Sequence, residues 1–239
     1  VALNYVVDCS RTGSLKSFFL VILNFMIGMV FHGGVIVGLI VFLVIFFLKH
    51  IKELFKKIFN GFILYKPFIG FALIATFIVY IGVSNIYIPK IGIITNFDKL
   101  KKNILYKNIV THRGDAKYPD WVIAKSLNEL IYKIPIKGIY FIFSPFPWDV
   151  KKSSHLMGMF DGFLHLFLIY LIFRNRKAIW ADPALRIIFL MLLVYIAVYG
   201  VAIGNFGTGI RHRAKFIIMF ILLAAPLLPK FIFYKKMKK

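Results

Sequence analysis

Three short stretches place arginine beside groups that favour an anion. NFGTGIRHR, residues 205–213, sets Arg211, His212 and Arg213 behind a glycine-rich run. In THRGDAKYPDW, residues 111–121, His112, Arg113, Asp115 and Asp120 flank a Gly-Asp turn, and SRTG holds Arg11. A guanidinium is planar and grips phosphate oxygens through two parallel N–H bonds, whereas lysine supplies charge without that geometry. Successive backbone N–H groups in a glycine-rich turn add an anion-binding concavity. Lysine is far the commoner base in this chain, so arginine at these positions points to phosphate recognition. The alternative is plainer: Arg211 and Arg213 bind lipid headgroups or pair with an aspartate at a helix start.

A further pair, Asp161 and His165, stands four residues apart inside an apolar run, with Gly158 and Gly162 close by. That spacing puts both on one helix face. Ionisable groups at membrane depth are costly and face the protein interior. Two readings stand, a functional intramembrane site and a local Asp-His hydrogen bond that locks helices. His32, a lone polar residue among Gly28, Gly33 and Gly34, reads as structural.

The elements that carry these residues follow from composition. Of 239 residues 60% are hydrophobic and 18% aromatic, well above the ~45–50% apolar content of soluble domains. The class is an all-α, polytopic helical membrane protein. A single cysteine, Cys9, rules out an intrachain disulfide or a multi-cysteine metal centre. The net charge of +22 goes with an abundance of Lys, Ile, Phe and Asn of the kind an AT-rich coding sequence produces. Position therefore carries more information than bulk charge, and no nucleic-acid partner is expected.

Charge-free runs of membrane length predict about five spans: residues 18–48, 68–83, 156–173, 187–203 and 216–233. The first is too long for one crossing and is read as one long or broken span, its glycines marking a kink or a break, with two short spans as the alternative. Pro226 and Pro229 kink or end the last. The short basic segments, Lys49 to Lys57, Arg174 to Arg186 and the lysines from 235 onward, fall on one side if the spans number five. That side is expected to be cytoplasmic, with the carboxy terminus. Residues 84–153, the NFGTGIRHR turn and the amino-terminal Arg11 then share the extracytoplasmic face. The whole chain, 1–239, reads as a single transmembrane domain, and its apolar, Met-less start reads as a fragment of a longer protein.

Within the outer loop of residues 84–153, residues 96–108 have the spacing of an amphipathic surface helix. Residues 118–133 read as a second short helix with Pro119 in its first turn. The run 139–150, with Pro145, Pro147 and Trp148, suits the membrane interface.

SRTG opening a long span, a large outer loop after a further span and a late arginine-bearing turn resemble the carboxy-terminal half of bacterial O-antigen polymerases and the related O-antigen ligases. The resemblance implies a multi-spanning protein of the bacterial inner membrane that takes a polyprenyl-pyrophosphate-linked saccharide on the extracytoplasmic face. It implies no metal or other cofactor. By the same resemblance Arg11 and Arg113 contact pyrophosphate and His112 is the base, with Asp115 beside it as the second catalytic candidate. Arg211, His212 and Arg213 complete the expected substrate contacts, and membrane lipids are the other partner. The reaction implied is inverting glycosyl transfer. No D-x-D or E-x-D sequence occurs to hold a divalent metal. Two alternatives are a lipid-phosphate-sugar glycosyltransferase whose acidic residue lies in an earlier loop, and a transporter or flippase for a lipid-linked sugar or other anion. A transporter needs its charges near the midplane, a transferase at the outer surface.

Overall fold

The computed structural model describes residues 1–59, 87–88, 92–93, 105–106 and 109–228, with α3 side chains as far as Ile51. Helix α1 spans Ala2–Thr12 and stops at Gly13, whose φ of 67° is left-handed and whose N–H reaches the Cys9 carbonyl at 2.9 Å. Ser14 then caps α2, Leu15–Phe31, by accepting the Ser17 N–H at 3.4 Å. The SRTG stretch is thus a corner between two helices.

Helix α2 ends at His32, a 3-10 turn follows at Gly33–Val35, and α3 runs Ile36–Phe59. The rings of Phe18 and Phe46 lie 4.5 Å apart, and Phe18 is 6.0 Å from Phe42. The start of α2 therefore lies beside the middle of α3, and the chain doubles back on itself. The expected long or broken span of residues 18–48 is an antiparallel hairpin. Its tip is tight because His32 Nδ1 accepts the Gly34 N–H at 3.2 Å and residue 34 has no side chain to collide with Tyr199.

Tyr87–Ile88 pairs antiparallel with Gly92–Ile93 in a short ladder. The expected span 68–83 lies outside the described residues, as does most of the expected surface helix 96–108. Helix α4 is Leu127–Phe143, capped by Ser126, which accepts the Glu129 N–H at 3.2 Å. It starts later than expected, because Pro119 belongs to a separate 3-10 turn, Asp120–Val122. It also runs on through Pro135 and absorbs the first part of the run expected to lie at the interface. Pro135 removes one N–H from the ladder. Close packing compensates: a Cβ on Gly200 would press on the Gly138 backbone.

The remaining helices are α5 (Ser153–Arg174), α6 (Arg176–Ala181), α7 (Pro183–Ala202), α8 (Phe206–Arg213) and α9 (Ile217–Ala224). Asp182 caps α7 through the N–H groups of Ala184 and Leu185 at 2.7 and 3.4 Å, with Pro183 in the first turn. Helix α7 is central, touching α1, α3, α4, α6 and α9. Helices α4 and α5 are joined where the Phe143 carbonyl sits against Gly162, leaving no room for a Cβ.

The segments Gly33–Ile51, Ser153–Arg174 and Pro183–Ala202 are long and apolar enough to cross a membrane. Burial points the same way. Phe160, Phe163, Phe167 and Tyr170 of α5 are exposed while His165, Lys137, Ser144 and Arg213 are buried. A soluble domain would hide those aromatic rings. Small residues and polar groups inside, with large apolar ones outside, is the pattern of helices packing in lipid.

Candidate functional site

The two ends of α7 separate the candidate residues. Arg11, at the end of α1, donates from Nη2 to Asp182 Oδ2 at 2.6 Å. Burial by itself would raise the Asp182 carboxyl; the Arg11 hydrogen bond and the backbone N–H groups of Ala184 and Leu185 outweigh it and hold it below its ordinary value. Arg11 therefore lies at the amino-terminal end of α7. The segment carrying Arg113 is bound at the other end, about 30 Å away for a helix of 20 residues. The expectation that Arg11 joins Arg113 and Arg211 on one face is overturned. The hairpin of α2 and α3 is the cause, since it adds a reversal that a single long span lacks.

At the carboxy-terminal end of α7 the 111–118 segment is strapped to the connection before α8. Gly204 N–H donates to Thr111 Oγ1 at 2.8 Å, and Tyr118 N–H to the Gly204 carbonyl at 3.0 Å. Phe206 N–H reaches the Ala116 carbonyl at 2.9 Å, and Asn205 Nδ2 the Arg113 carbonyl at 2.7 Å. The strap leaves the Arg113 side chain exposed.

His112 Nε2 lies 2.7 Å from the Tyr118 carbonyl and 3.3 Å from Asp120 Oδ1. A carbonyl can only accept, so Nε2 carries a proton, and Nδ1 of the neutral ring is the nitrogen able to take one. The carboxylate beside His112 is thus Asp120 and not Asp115. Asp115 instead pairs with Lys152 at 2.5 Å. The Lys152 hydrogen bond holds the Asp115 carboxyl below its ordinary range, and a Lys117 hydrogen bond does the same for Asp120. Neither is tuned upward as a general acid would be.

NFGTGIRHR is not a turn. Asn205 Oδ1 accepts the N–H groups of Gly207 and Thr208 at 2.8 and 3.2 Å, and α8 begins at Phe206. The 3-10 turn Ala214–Phe216 then carries the chain into α9, which ends beside Asn175, whose Nδ2 donates to the Leu223 carbonyl at 2.8 Å. The three basic residues of α8 diverge. Arg211 is exposed. The His212 ring stands 4.9 Å from Tyr199 and 5.6 Å from His32, inside an aromatic cluster at the hairpin tip.

Arg213 is 1% exposed. Its Nε donates to Asp161 Oδ2 at 2.5 Å, and its Nη1 to the carbonyls of Ile142 and Ser144 at 2.6 and 2.7 Å. Phe141 and Gly158 accept at 3.3 and 3.1 Å. The Phe141 and Ile142 carbonyls belong to the last turn of α4, which lacks intrahelical donors, so Arg213 caps that helix from outside it. Its fork is turned wholly inward, away from any ligand on the outer surface.

The same contact joins the intramembrane pair to the arginine stretch. Asp161 and His165 do share a face, and His165 is fully buried, but His165 Nδ1 donates to the Asp161 backbone carbonyl at 2.8 Å. The carboxylate stands 3.6 Å from His165, and its close partner is Arg213. His165 Nε2 is buried and has no hydrogen-bond partner among the described residues, and the Phe220 ring is centred 5.1 Å from the imidazole. Sequence spacing found the pair and missed the third member, which lies on another helix.

Of the residues singled out by sequence, His112, Arg113 and Arg211 remain at one end, the two arginines exposed and the His112 side chain 17% exposed. Asp120, which the sequence places only as a flank of the Gly-Asp turn, is the carboxylate beside His112, and the strap residues Thr111 and Asn205 are not marked as site residues by the sequence. Asn205 had a legible signal, an asparagine placed ahead of a helix as an N-cap. Among the described residues no group of three or more His, Cys, Asp and Glu is placed to hold a metal ion. Comparison with protein-family models, with curated proteins and with solved structures finds no match to this chain.

Proposed function

We propose that the chain carries the lipid-pyrophosphate-binding face of a membrane glycosyltransferase for cell-surface polysaccharide assembly, of the O-antigen polymerase or ligase kind. The observation that carries this reading is the strap between residues 111–118 and Gly204–Phe206, which brings His112 and Arg113 to the end of the bundle where the helix bearing Arg211 begins. Arg113 and Arg211 bind the pyrophosphate of a polyprenyl-linked saccharide and stabilise the charge that grows on it as it leaves. The acceptor hydroxyl oxygen bonds to the anomeric carbon while the bond to pyrophosphate breaks, and its proton passes to His112 Nδ1. Asp120 steadies the imidazolium that results. The opposite end holds Arg11, Lys49, Arg174, Arg176, Lys177 and Arg186, so the positive-inside tendency makes it cytoplasmic in a bacterial inner membrane, with the carboxy terminus.

The test is binding of undecaprenyl pyrophosphate to the purified chain by native mass spectrometry. Arg113→Lys with Arg211→Lys keeps the charge and is expected to weaken binding about tenfold, the effect of losing ~1.4 kcal/mol of bidentate contact. His112→Gln is expected to keep binding and to abolish transfer in a reconstituted assay. Equal affinity in the double lysine variant removes the reading.

A transporter reading draws on a different observation, the hairpin tip where His32, Tyr199 and His212 meet inside the bundle. It expects counterflow of a lipid-linked sugar in proteoliposomes that is lost in Tyr199→Phe with His212→Gln. Counterflow left intact in that variant discards it.

A further inference from the structure

Helices α5 and α7 stand apart, each packed against α4 and α9 rather than chiefly on the other. Between them lies a cavity of about 570 Å³, within the ~300–1,000 Å³ typical of small-ligand pockets. Ile139 and Ile142 of α4 roof it, Ile172 of α5 and Leu193 of α7 wall it, and Phe220 of α9 backs it. Trp180 and Arg176 lie at its α6 end. Among the described residues Arg176 is the one charged residue lining it. Water finds no partners on such walls, and an empty cleft forfeits dispersion contacts, so hydrocarbon is the filling that the walls favour.

The α6 end adds a headgroup signature. The guanidinium of Arg176 lies 4.4 Å from the centre of the Phe173 ring, with one nitrogen donating to the Phe173 carbonyl at 3.0 Å. Among the described residues its other amino group has no hydrogen-bond acceptor, which leaves it for an external one. Arg174 and Lys177 flank it, both exposed. The acid nearest in sequence, Asp182, is engaged by Arg11. Trp180 is half exposed, as an indole at headgroup depth is. We propose that this cleft binds one acyl chain of an anionic phospholipid, with its phosphate on Arg176. The mouth lies at the end of α7 opposite Arg113, so the site is independent of the proposed transferase face.

Trp180 reports occupancy directly. In the full chain carrying Trp121→Phe and Trp148→Phe, Trp180 is the remaining tryptophan. Lipid bilayer discs are doped with phosphatidylglycerol or phosphatidylcholine brominated on one acyl chain, which quenches nearby indole. Brominated phosphatidylglycerol is expected to quench at a several-fold lower mole fraction than brominated phosphatidylcholine. Arg176→Gln, a change at an exposed side chain, is expected to cut that preference about fivefold, the worth of one basic residue near an anionic surface. Ala197→Phe fills the cleft and is expected to reduce quenching by both lipids. Equal quenching by both headgroups overturns the proposal, as does a preference indifferent to Arg176→Gln. Absence of quenching, as a second copy covering the cleft would produce, overturns it too, and so does displacement of phosphatidylglycerol by a trace of polyprenyl phosphate.

Discussion

Arg211 and Arg213 are two residues apart on one short helix and occupy different media. Arg211 faces outward; Arg213 is enclosed by α4 and α5, where Asp161 and the helix-end carbonyls engage its donors. At about 3.6 residues per turn, residues i and i+2 of an α-helix point to nearly opposite sides. The same residue type is therefore a surface cation in one case and a helix clamp in the other. Only the clamp holds helices together through its contacts, so the fold is expected to depend on it rather than on Arg211.

The largest effect is expected at the clamp. Arg213→Met leaves the Asp161 carboxylate, 30% exposed, and the helix-end carbonyls without their cation and is expected to lower stability by about 3 kcal/mol, read as the midpoint of unfolding in sodium dodecyl sulfate. Arg211→Met is expected to leave that midpoint in place. Asp161→Asn combined with Arg213→Met removes both charges and should be more stable than Arg213→Met alone. Equal losses at Arg211 and Arg213 would break the distinction.

A middle-sized effect is expected where α8 begins. Asn205→Ala removes the cap of α8 and the bond to Arg113 and is expected to cost about 1 kcal/mol. It should also speed protease cleavage in residues 111–118 while leaving the Arg213 clamp formed. Unchanged proteolysis would show that the strap does not depend on this side chain.

The smallest effect belongs to the exposed Asp115–Lys152 pair. Asp115 is held below its ordinary value of 3.8, so its contribution is complete above that pH and is lost as pH falls through the lower folded value. Lys152 is raised above its ordinary 10.5, so its contribution is complete below that pH and is lost as pH rises through the higher folded value. Hydrogen exchange at residues 113–117, corrected for intrinsic rate, should rise slightly at both extremes, and Asp115→Asn should remove the acid-side rise. High salt should weaken the effect because both groups are exposed.

Composition and charge-free runs were enough to place helices long and apolar enough to cross a membrane, since lipid permits few other ways to satisfy a backbone. The runs near residues 156–173 and 187–203 correspond to α5 and α7 within a few residues, because uniform hydrophobicity leaves little ambiguity about where a helix lies. Helical spacing also placed Asp161 and His165 on one face. What the sequence could not express is distance between helices. The pair His32–Gly34 reads as a flaw in a long span, yet it reverses the chain, because contacts between Phe18 and Phe46 decide the matter 28 residues apart. That reversal sends Arg11 to Asp182 and away from Arg113. The inward turn of Arg213 was equally hidden, since its acceptors belong to residues 141–161, brought to it only when α4 and α5 close around Gly162. Local pattern determines which segments are helices; packing determines which charges meet, because ion pairs and helix caps act over a few ångströms that chain order does not record.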